Sequence, residues 1–299
     1  MEEDNKKRLV AFMRESGRSQ NRVAKALGIS SSALSQWISG TYKGDNAAVD
    51  AKVDDYLSAI AEEDGSADLL EERGVIETTS YKSVVKFCTL VSKSKMMGML
   101  IGDAGAGKTT ALKDYARKHP TCILIEADKG YTPRVLFNDL CSKLKINAPS
   151  MTHDKFLNSL SKLKNSGRLL IIDEAEHLPY NSLEYVRRLY DKSGIAVVLC
   201  GMPRLECNVR GLKEQFLQLS SRIQLVSRLK ILTNRDVEAY LESRFEKYDK
   251  DCVETLIKFS DRNCRIMANL CRLSLEMLTF NNISSLSVDI LETAKEMSR

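Results

Sequence analysis

Short apolar runs and amphipathic segments alternate through the middle of the chain. The apolar runs are bounded by turn residues, as buried strands are, and they cover residues 99–101, 122–126, 169–172 and 195–200. In the segments between them, hydrophobic residues recur at helical spacing, which predicts helices at 108–118, 133–144, 155–164 and 181–192. Alternating strands and helices predict an α/β fold in which helices cover both faces of a parallel sheet.

Helical patterns dominate both ends of the chain. Beyond Asn234 the strand signals fade, and the spacing of apolar residues predicts helices at 237–245, 253–259, 266–278 and 288–297. Residues 20–39 place apolar side chains where a helix-turn-helix buries them, with Gly28 at the turn and Ser30 able to cap the second helix. Residues 64–74 are polar, acidic and interrupted by glycine, so they are the best candidate for a linker.

Charge is distributed unevenly along the chain. Residues 82–235 hold 26 Lys and Arg against 13 Asp and Glu, which gives this stretch a net charge of +13, whereas the whole chain carries +5. Such a concentration of positive charge suits a polyanion such as nucleic acid. No stretch approaches the roughly 18 consecutive apolar residues that would span a bilayer, so we expect a cytoplasmic protein without a membrane partner.

Residues 102–109, GDAGAGKT, fit the phosphate-binding pattern GxxxxGK[ST], with an apolar strand before them and a helix after them. Glycine lets backbone N–H groups close around the phosphates of ATP. Lys108 is expected to reach the β- and γ-phosphates, and Thr109 to give its hydroxyl group to Mg²⁺. The predicted ATP-binding residues here are Gly102, Gly105, Gly107, Lys108, Thr109 and Thr110.

A second apolar run ends in two carboxylates, Asp173 and Glu174. In a parallel sheet this strand end lies beside the phosphate loop, so Asp173 is expected to hold Mg²⁺ and to join the cofactor-binding set. Glu174, one residue further on, is placed to accept a proton from the attacking water, which predicts hydrolysis of ATP to ADP and phosphate. The alternative is that Glu174 is only an acidic residue at a helix start.

The phosphate loop, the acid pair, the helical tail and the N-terminal helix-turn-helix together resemble the AAA+ ATPases, and among them the ATPases of DNA transposition. The likeness covers nearly the whole chain, including the stretches 42–46 and 173–178. It implies four parts: a helix-turn-helix domain at 1–64, a linker at 65–80, an AAA+ P-loop ATPase domain at 81–235 and a helical lid at 236–299.

The same resemblance implies a function. Identical subunits would assemble with ATP on double-stranded DNA, as a ring or a helical filament, and would deliver target DNA to a transposase or activate it. The setting would be a bacterial cell or one infected by a phage.

The resemblance also assigns two arginines and exposes one departure. The stretch 220–222 resembles the segment that supplies an arginine finger to the neighbouring subunit, which gives Arg222 a catalytic role. Arg265 resembles the ATP-binding sensor arginine of the lid, and the alternative for each arginine is an ordinary surface charge. Where the family has a polar sensor residue after the strand 195–200, this chain has Met202, which cannot donate the usual hydrogen bond. Slow hydrolysis or a substitute polar group is the expected consequence.

Two surfaces are candidates for binding DNA. In the helix-turn-helix, bases would meet the start of the second helix and phosphates the nearby cations, and the candidates are Ser32, Gln36, Arg18, Arg22 and Lys43. The net charge of −2 over residues 1–64 leaves a protein-docking role open as the alternative. In the ATPase domain the resemblance implies that DNA passes basic residues, and the candidates are Lys129, Arg134, Lys155 and Lys162. For any single lysine a solvated face is the alternative.

Two other functions remain alternatives. A helicase-loader or replication-initiator ATPase would usually append a basic winged-helix domain, whereas residues 236–299 carry a net charge of −3. A transcriptional regulator in which ATP switches the helix-turn-helix would bind a specific sequence at its own promoter.

Overall fold

The computed structural model describes residues 5, 6, 8–10, 12, 13, 20, 23, 24, 27–57, 75–210 and 217–298. The chain divides into two compact units, Met1–Gly74 and Val75–Arg299. Arg18 and Arg22, two of the candidate DNA contacts, lie outside the described residues. In the described part, no helix is long and apolar enough to cross a membrane.

The first unit packs helices around Trp37, which is fully buried. Helix α1 spans Ser31–Ile38, and its first turn is capped by the Ser30 hydroxyl, which accepts a hydrogen bond of 3.1 Å from Ala33 N. Residues 46–57 form a further helix, α2. The second helix of the predicted helix-turn-helix is therefore present, whereas much of the first lies outside the described residues, so the motif stays a prediction.

The second unit is built on a parallel sheet. In its described residues five strands pair in the order β2-β3-β4-β1-β5, and they are β1 Met97–Ile101, β2 Cys122–Glu126, β3 Leu169–Asp173, β4 Ala196–Gly201 and β5 Ile223–Arg228. Every residue of β1, β3 and β4 is buried, which is why these strands are continuous apolar runs in the sequence. The predicted α/β fold with a parallel sheet is confirmed.

Helices cover both faces of this sheet. They are α3 Thr79–Ser94, α4 Lys108–Lys118, α5 Pro133–Leu144, α6 Thr152–Leu163, α7 Tyr180–Ser193, α8 Pro203–Arg210 and α9 Leu217–Ser220. Alternate strand residues point to opposite faces. Those such as Met99 and Ile172 meet the core formed with α5, α6 and α7, whereas Leu100 and Ile171 meet the core formed with α3 and α4. Each face is therefore sealed by its own hydrophobic core.

A group of helices with its own core follows the sheet. These helices are α10 Asn234–Arg244, α11 Asp251–Ser260, α12 Cys264–Phe280 and α13 Val288–Met297. The first of them begins with a capping box between Thr233 and Asp236. The other carboxylate oxygen of Asp236 accepts bonds from the backbone N and the hydroxyl of Thr79, at 2.6 and 2.9 Å. Helix α3 thus begins inside the range 65–80 predicted as a linker and is tied to the lid helices.

Candidate nucleotide site

The phosphate loop connects β1 to α4. Gly105 and Gly107 both have positive φ, +75° and +80°, a conformation that an L side chain adopts only with strain. A Cβ on Gly105 would also overlap with the side chain of Asn263, whose Cγ would lie only 2.5 Å away. The two glycines are therefore required by backbone conformation, and Gly105 is required by close packing as well.

Lys108 lies at the centre of this loop. Its ammonium group donates to the carbonyl oxygens of Gly102 and Asp103, at 2.7 and 2.9 Å, and the residue is 8% exposed. Helix α4 begins at Lys108 with Gly107 as its N-cap, and among the described residues no side chain caps its first turn. A buried cation beside the free N–H groups of a helix start favours a phosphate ligand. Thr110 lies on the same helix turn and is exposed.

The two predicted magnesium ligands are brought together. Thr109 donates its hydroxyl to Asp173 Oδ2 at 2.6 Å, across the gap between α4 and the end of β3. Asp173 is only 1% exposed, and its Oδ1 accepts a bond of 3.0 Å from the backbone N of Glu174. A hydroxyl and a carboxylate side by side are oxygen donors of the kind Mg²⁺ prefers.

Glu174 occupies a strained position beside this pair. Its φ is +51°, in the left-handed region, which costs a non-glycine residue roughly 1–3 kcal/mol when the surroundings enforce it. Its side chain is 56% exposed, with Oε2 3.6 Å from His177 Nε2. The Glu174 carboxylate is therefore accessible to water, whereas the neighbouring Asp173 carboxylate is buried.

Beside Asp173 lies the thiol of Cys200, near the end of β4. Burial raises the pKa of the Cys200 thiol well above its ordinary value, and the neighbouring Asp173 carboxylate raises it further. Cys200 therefore stays protonated and adds no negative charge beside the acid pair.

Met202 follows the end of β4, where the family has a polar sensor residue, and the carboxylate of Glu176 lies beside it. Met202 is exposed, and its backbone N donates to Glu176 Oε1 at 3.1 Å. The backbone oxygen of Glu176 accepts a bond of 3.2 Å from the side-chain amide of Asn208. Sequence reasoning gave Glu176 and Asn208 no role, although Glu176 lies in the acidic stretch 173–178. The Glu176 carboxylate thus lies beside the position where the family has its sensor residue, and Asn208 binds the Glu176 backbone.

A cavity of about 310 Å³ opens between the phosphate loop and the lid helices. Its lining combines loop residues 103–106 with residues 229–232, residues 260–264, Ser80 and Ile266. The lid contacts the loop directly, because Asn263 Nδ2 donates to Ala104 O at 2.9 Å and Cys264 N donates to Gly105 O at 2.8 Å. The cavity has the size and mixed lining of a small-molecule pocket.

Arg265 is not part of this cavity. It lies on α12 between two residues that line the cavity, Cys264 and Ile266, but it is exposed and does not line the cavity itself. The predicted role of Arg265 as a sensor therefore stays a prediction.

Arg222 is held by residues of its own subunit that belong neither to the phosphate loop nor to the acid pair. Its Nε donates to Asp191 Oδ1 at 2.9 Å, and its Nη1 donates to Ser221 Oγ at 3.2 Å. The side chain is 43% exposed, so it is accessible to a neighbouring molecule.

The candidate DNA contacts differ in their accessibility. Lys129, Arg134 and Lys162 are exposed, as are Ser32, Gln36 and Lys43 in the first unit. Lys155 is only 3% exposed because it shares a buried row of α6 with Ser159 and Leu163. The expectation that Lys155 presents its charge to DNA is therefore corrected. Arg134 and Arg188 line an open cavity of about 510 Å³ together with Thr132, Pro133, Thr152, Asn181, Glu184 and Tyr185.

The parallel sheet with its phosphate loop has the AAA+ P-loop fold. Residues 91–207 match the family model of the AAA domain. In fold, the chain is similar to the ORC2 protein of Aeropyrum pernix in its ADP form, with a TM-score of 0.55 and 16% identity over 74% of this chain and 68% of that one. It is also similar to the RuvB Holliday junction branch migration motor of Thermotoga maritima, with a TM-score of 0.50, 18% identity and coverage of 72% and 68%. At these identities the likeness shows the fold alone.

In sequence, the chain is similar to a DNA transposition protein and to a target DNA activator. It is 26% identical over 255 residues to the Mu-like prophage FluMu DNA transposition protein B of Haemophilus influenzae, covering 83% of this chain and 88% of that protein. It is 26% identical over 226 residues to the ATP-dependent target DNA activator B of Escherichia phage Mu, covering 74% and 72%. The resemblance to the AAA+ ATPases of transposition is thereby confirmed.

Proposed function

We propose that this protein binds ATP with Mg²⁺, hydrolyses it, assembles on double-stranded DNA and presents that DNA to a transposase. The observation that carries the proposal is the convergence of Lys108, Thr109, Asp173 and Glu174 at one end of the sheet. The relatedness to a target DNA activator and to a transposition protein supports the part that concerns DNA.

In this proposal each side chain of the site has one task. Lys108 exchanges its loop carbonyls for phosphate oxygens, and the N–H groups at the start of α4 bind the same phosphates. Thr109 and Asp173 would hold Mg²⁺, and the ion would supply positive charge beside the phosphates. Glu174 accepts the proton of the attacking water. The cavity lined by residues 229–232 and 260–264 receives the base.

The nucleotide site is tested with two variants and one control. Lys108→Ala is expected to abolish ATP binding in a nucleotide titration, whereas Lys113→Ala, on an exposed turn of the same helix, is expected to bind like wild type. Glu174→Gln is expected to keep ATP binding and to slow turnover by about 10² to 10⁴, the usual contribution of a general base. Wild-type affinity in Lys108→Ala would remove the site assignment, and undiminished turnover in Glu174→Gln would make that residue structural.

The DNA surface is tested by making the same change of charge at two different places on the second unit. Replacing Lys129, Arg134 and Lys162 together by glutamate is expected to weaken DNA binding and to flatten the dependence of log K on log salt. The matched control replaces three exposed lysines of α3, and these are Lys82, Lys86 and Lys93. Equal losses in the two triple variants would show that net charge alone, and not this surface, attracts DNA.

Assembly is tested by electron microscopy with DNA and either ATP or ADP. We expect rings or filaments on DNA with ATP, and with the Glu174→Gln variant, but not with ADP. A mixture of Lys108→Ala and Arg222→Ala subunits is expected to recover part of the activity, because the first lends its arginine to the intact loop of the second. If activity does not recover in assemblies shown to be mixed, Arg222 acts within its own subunit or only structurally.

A further inference from the structure

Helix α7 carries a row of alternating charges on one side. Glu184 pairs with Arg187 at 2.6 Å and with Arg188 at 3.0 Å, and Arg187 also pairs with Asp191 one turn further on. Arg187 is 12% exposed, so its guanidinium is held between two carboxylates in a largely buried position. Arg187 therefore holds Asp191 in place through a contact within the same helix.

Arg222 attaches to the end of this row. Asp191 uses one carboxylate oxygen for Arg187 and the other for Arg222 Nε, at 2.9 Å. Ser221 Oγ accepts a bond from Arg222 Nη1 at 3.2 Å. Within the described part of the chain, the remaining nitrogen, Nη2, makes no hydrogen bond. The guanidinium group is therefore held at Nε and Nη1, and Nη2 is left to contact a further group.

We propose that Asp191 is the positioning residue of Arg222, and that it orients the guanidinium group so that a neighbouring subunit's nucleotide meets a preformed finger. This inference rests on the proposed role of Arg222 in a neighbour's active site. An unrestrained arginine loses much rotamer freedom when it engages a phosphate, and a guanidinium that is already fixed loses less. Arg187 holds the Asp191 carboxylate in place, so the row of charges on α7 supports Arg222.

The expected size of the effect follows from the rotamer freedom of arginine. Preorganisation cannot contribute more than that freedom, which limits the loss in turnover to about 3- to 30-fold. Folding is expected to change little, because Arg187 retains Glu184 when Asp191 is removed, and exposed ion pairs such as Asp191–Arg222 contribute little to stability.

The test measures DNA-stimulated ATP turnover in the full chain, at protein concentrations where assembly has been verified. Asp191→Ala is expected to lower kcat by about 3- to 30-fold at unchanged ATP affinity. Asp191→Asn is expected to recover much of the loss, because its amide oxygen still accepts from Arg222 Nε. The double variant Asp191→Ala/Arg222→Ala is expected to match Arg222→Ala. Glu276→Ala, which breaks an exposed pair with Arg272 on the lid, is the control and is expected to leave kcat unchanged.

The outcomes separate this inference from the proposed function. Wild-type turnover in Arg222→Ala would show that Arg222 is not an arginine finger. Reduced turnover in Arg222→Ala together with normal turnover in Asp191→Ala would overturn the positioning role alone. Faster turnover in Asp191→Ala would overturn it too, because Asp191 would then restrain the finger. A further loss on adding Asp191→Ala to Arg222→Ala would show that Asp191 acts on something other than Arg222.

Discussion

The contact between the phosphate loop and the lid gives a sharp prediction for two glycines. Gly105→Ala and Gly107→Ala both place a side chain at positive φ, which costs roughly 1–2 kcal/mol in the left-handed region. They differ in what the new Cβ meets. At Gly107 it would lie 3.6 Å from Cys264 Sγ, an ordinary contact, whereas at Gly105 it would overlap with Asn263.

The cost of displacing Asn263 follows from what that side chain does. Its Oδ1 caps α12 by accepting from the backbone N of Arg265 and Ile266, and its Nδ2 donates to Ala104 O. Loss of an N-cap costs about 1 kcal/mol, and each lost hydrogen bond about 0.5–1.5 kcal/mol. We therefore expect Gly105→Ala to lower the free energy of unfolding by about 1.5–2.5 kcal/mol more than Gly107→Ala does.

Urea unfolding without nucleotide, followed by circular dichroism, measures this difference. Trp37 is the single tryptophan and is buried in the first unit, so its fluorescence is an internal control that neither glycine variant is expected to change. In an Asn263→Ala background the overlap is removed, and the costs of the two glycine variants are expected to converge. Equal costs already in the wild-type background would refute the argument, since the lid would then not rest on Gly105.

Three further predictions follow from other parts of the structure. The Lys118 ammonium lowers the pKa of Asp114, so Asp114→Asn is expected to cost about 1–3 kcal/mol in urea unfolding at pH 7. Because the folded pKa lies below the unfolded value of about 4, that difference is expected to shrink as the pH falls below 4. Gly201→Ala is expected to cost about 1–3 kcal/mol by overpacking against Glu176, and Glu176→Ala is expected to recover much of it in the double variant. Deleting residues 1–74 is expected to keep much of the salt-dependent DNA affinity, and its complete loss in a filter-binding assay would make the first unit the principal DNA reader.

The fold was predictable where burial leaves a strong local pattern. The strands buried on both faces, β1, β3 and β4, are continuous apolar runs, and the helices after them have clear spacing. Strand β5 was not predicted, because it lies at the sheet edge and most of its residues are only half-buried, which leaves no apolar run. Helix α3 carries a usable signal, since Val84, Phe87 and Val91 recur at helical spacing and are buried. The range 65–80 predicted as a linker includes Thr79, the residue at which this helix begins.

The site was predictable only where its residues belong to a local sequence motif. A single loop contains Lys108 and Thr109 and a strand end contains Asp173, so the loop motif and the geometry of a parallel sheet together predicted their proximity. The bond between Met202 and Glu176 depends on β3 and β4 being neighbours in the sheet. The burial of Lys155 depends on which face of α6 turns inward, and an amphipathic pattern does not distinguish a lysine at the edge of that face from one on the solvent side.

The contact of Asn263 with the phosphate loop joins residues that are far apart in the chain, and no local pattern reports it. Its physical consequence is nevertheless direct. One side chain caps α12 and bonds to the loop, so the loop and the first turn of α12 share hydrogen bonds. A shift of the loop carbonyls must either lengthen the bond to Ala104 or move the start of α12 with them. A ligand that binds one conformation of the loop more tightly than another therefore also favours one position of the lid. The free energy of the shared hydrogen bonds sets the size of this coupling. This coupling needs no group other than the ones already in contact, and the glycine variants measure it without nucleotide.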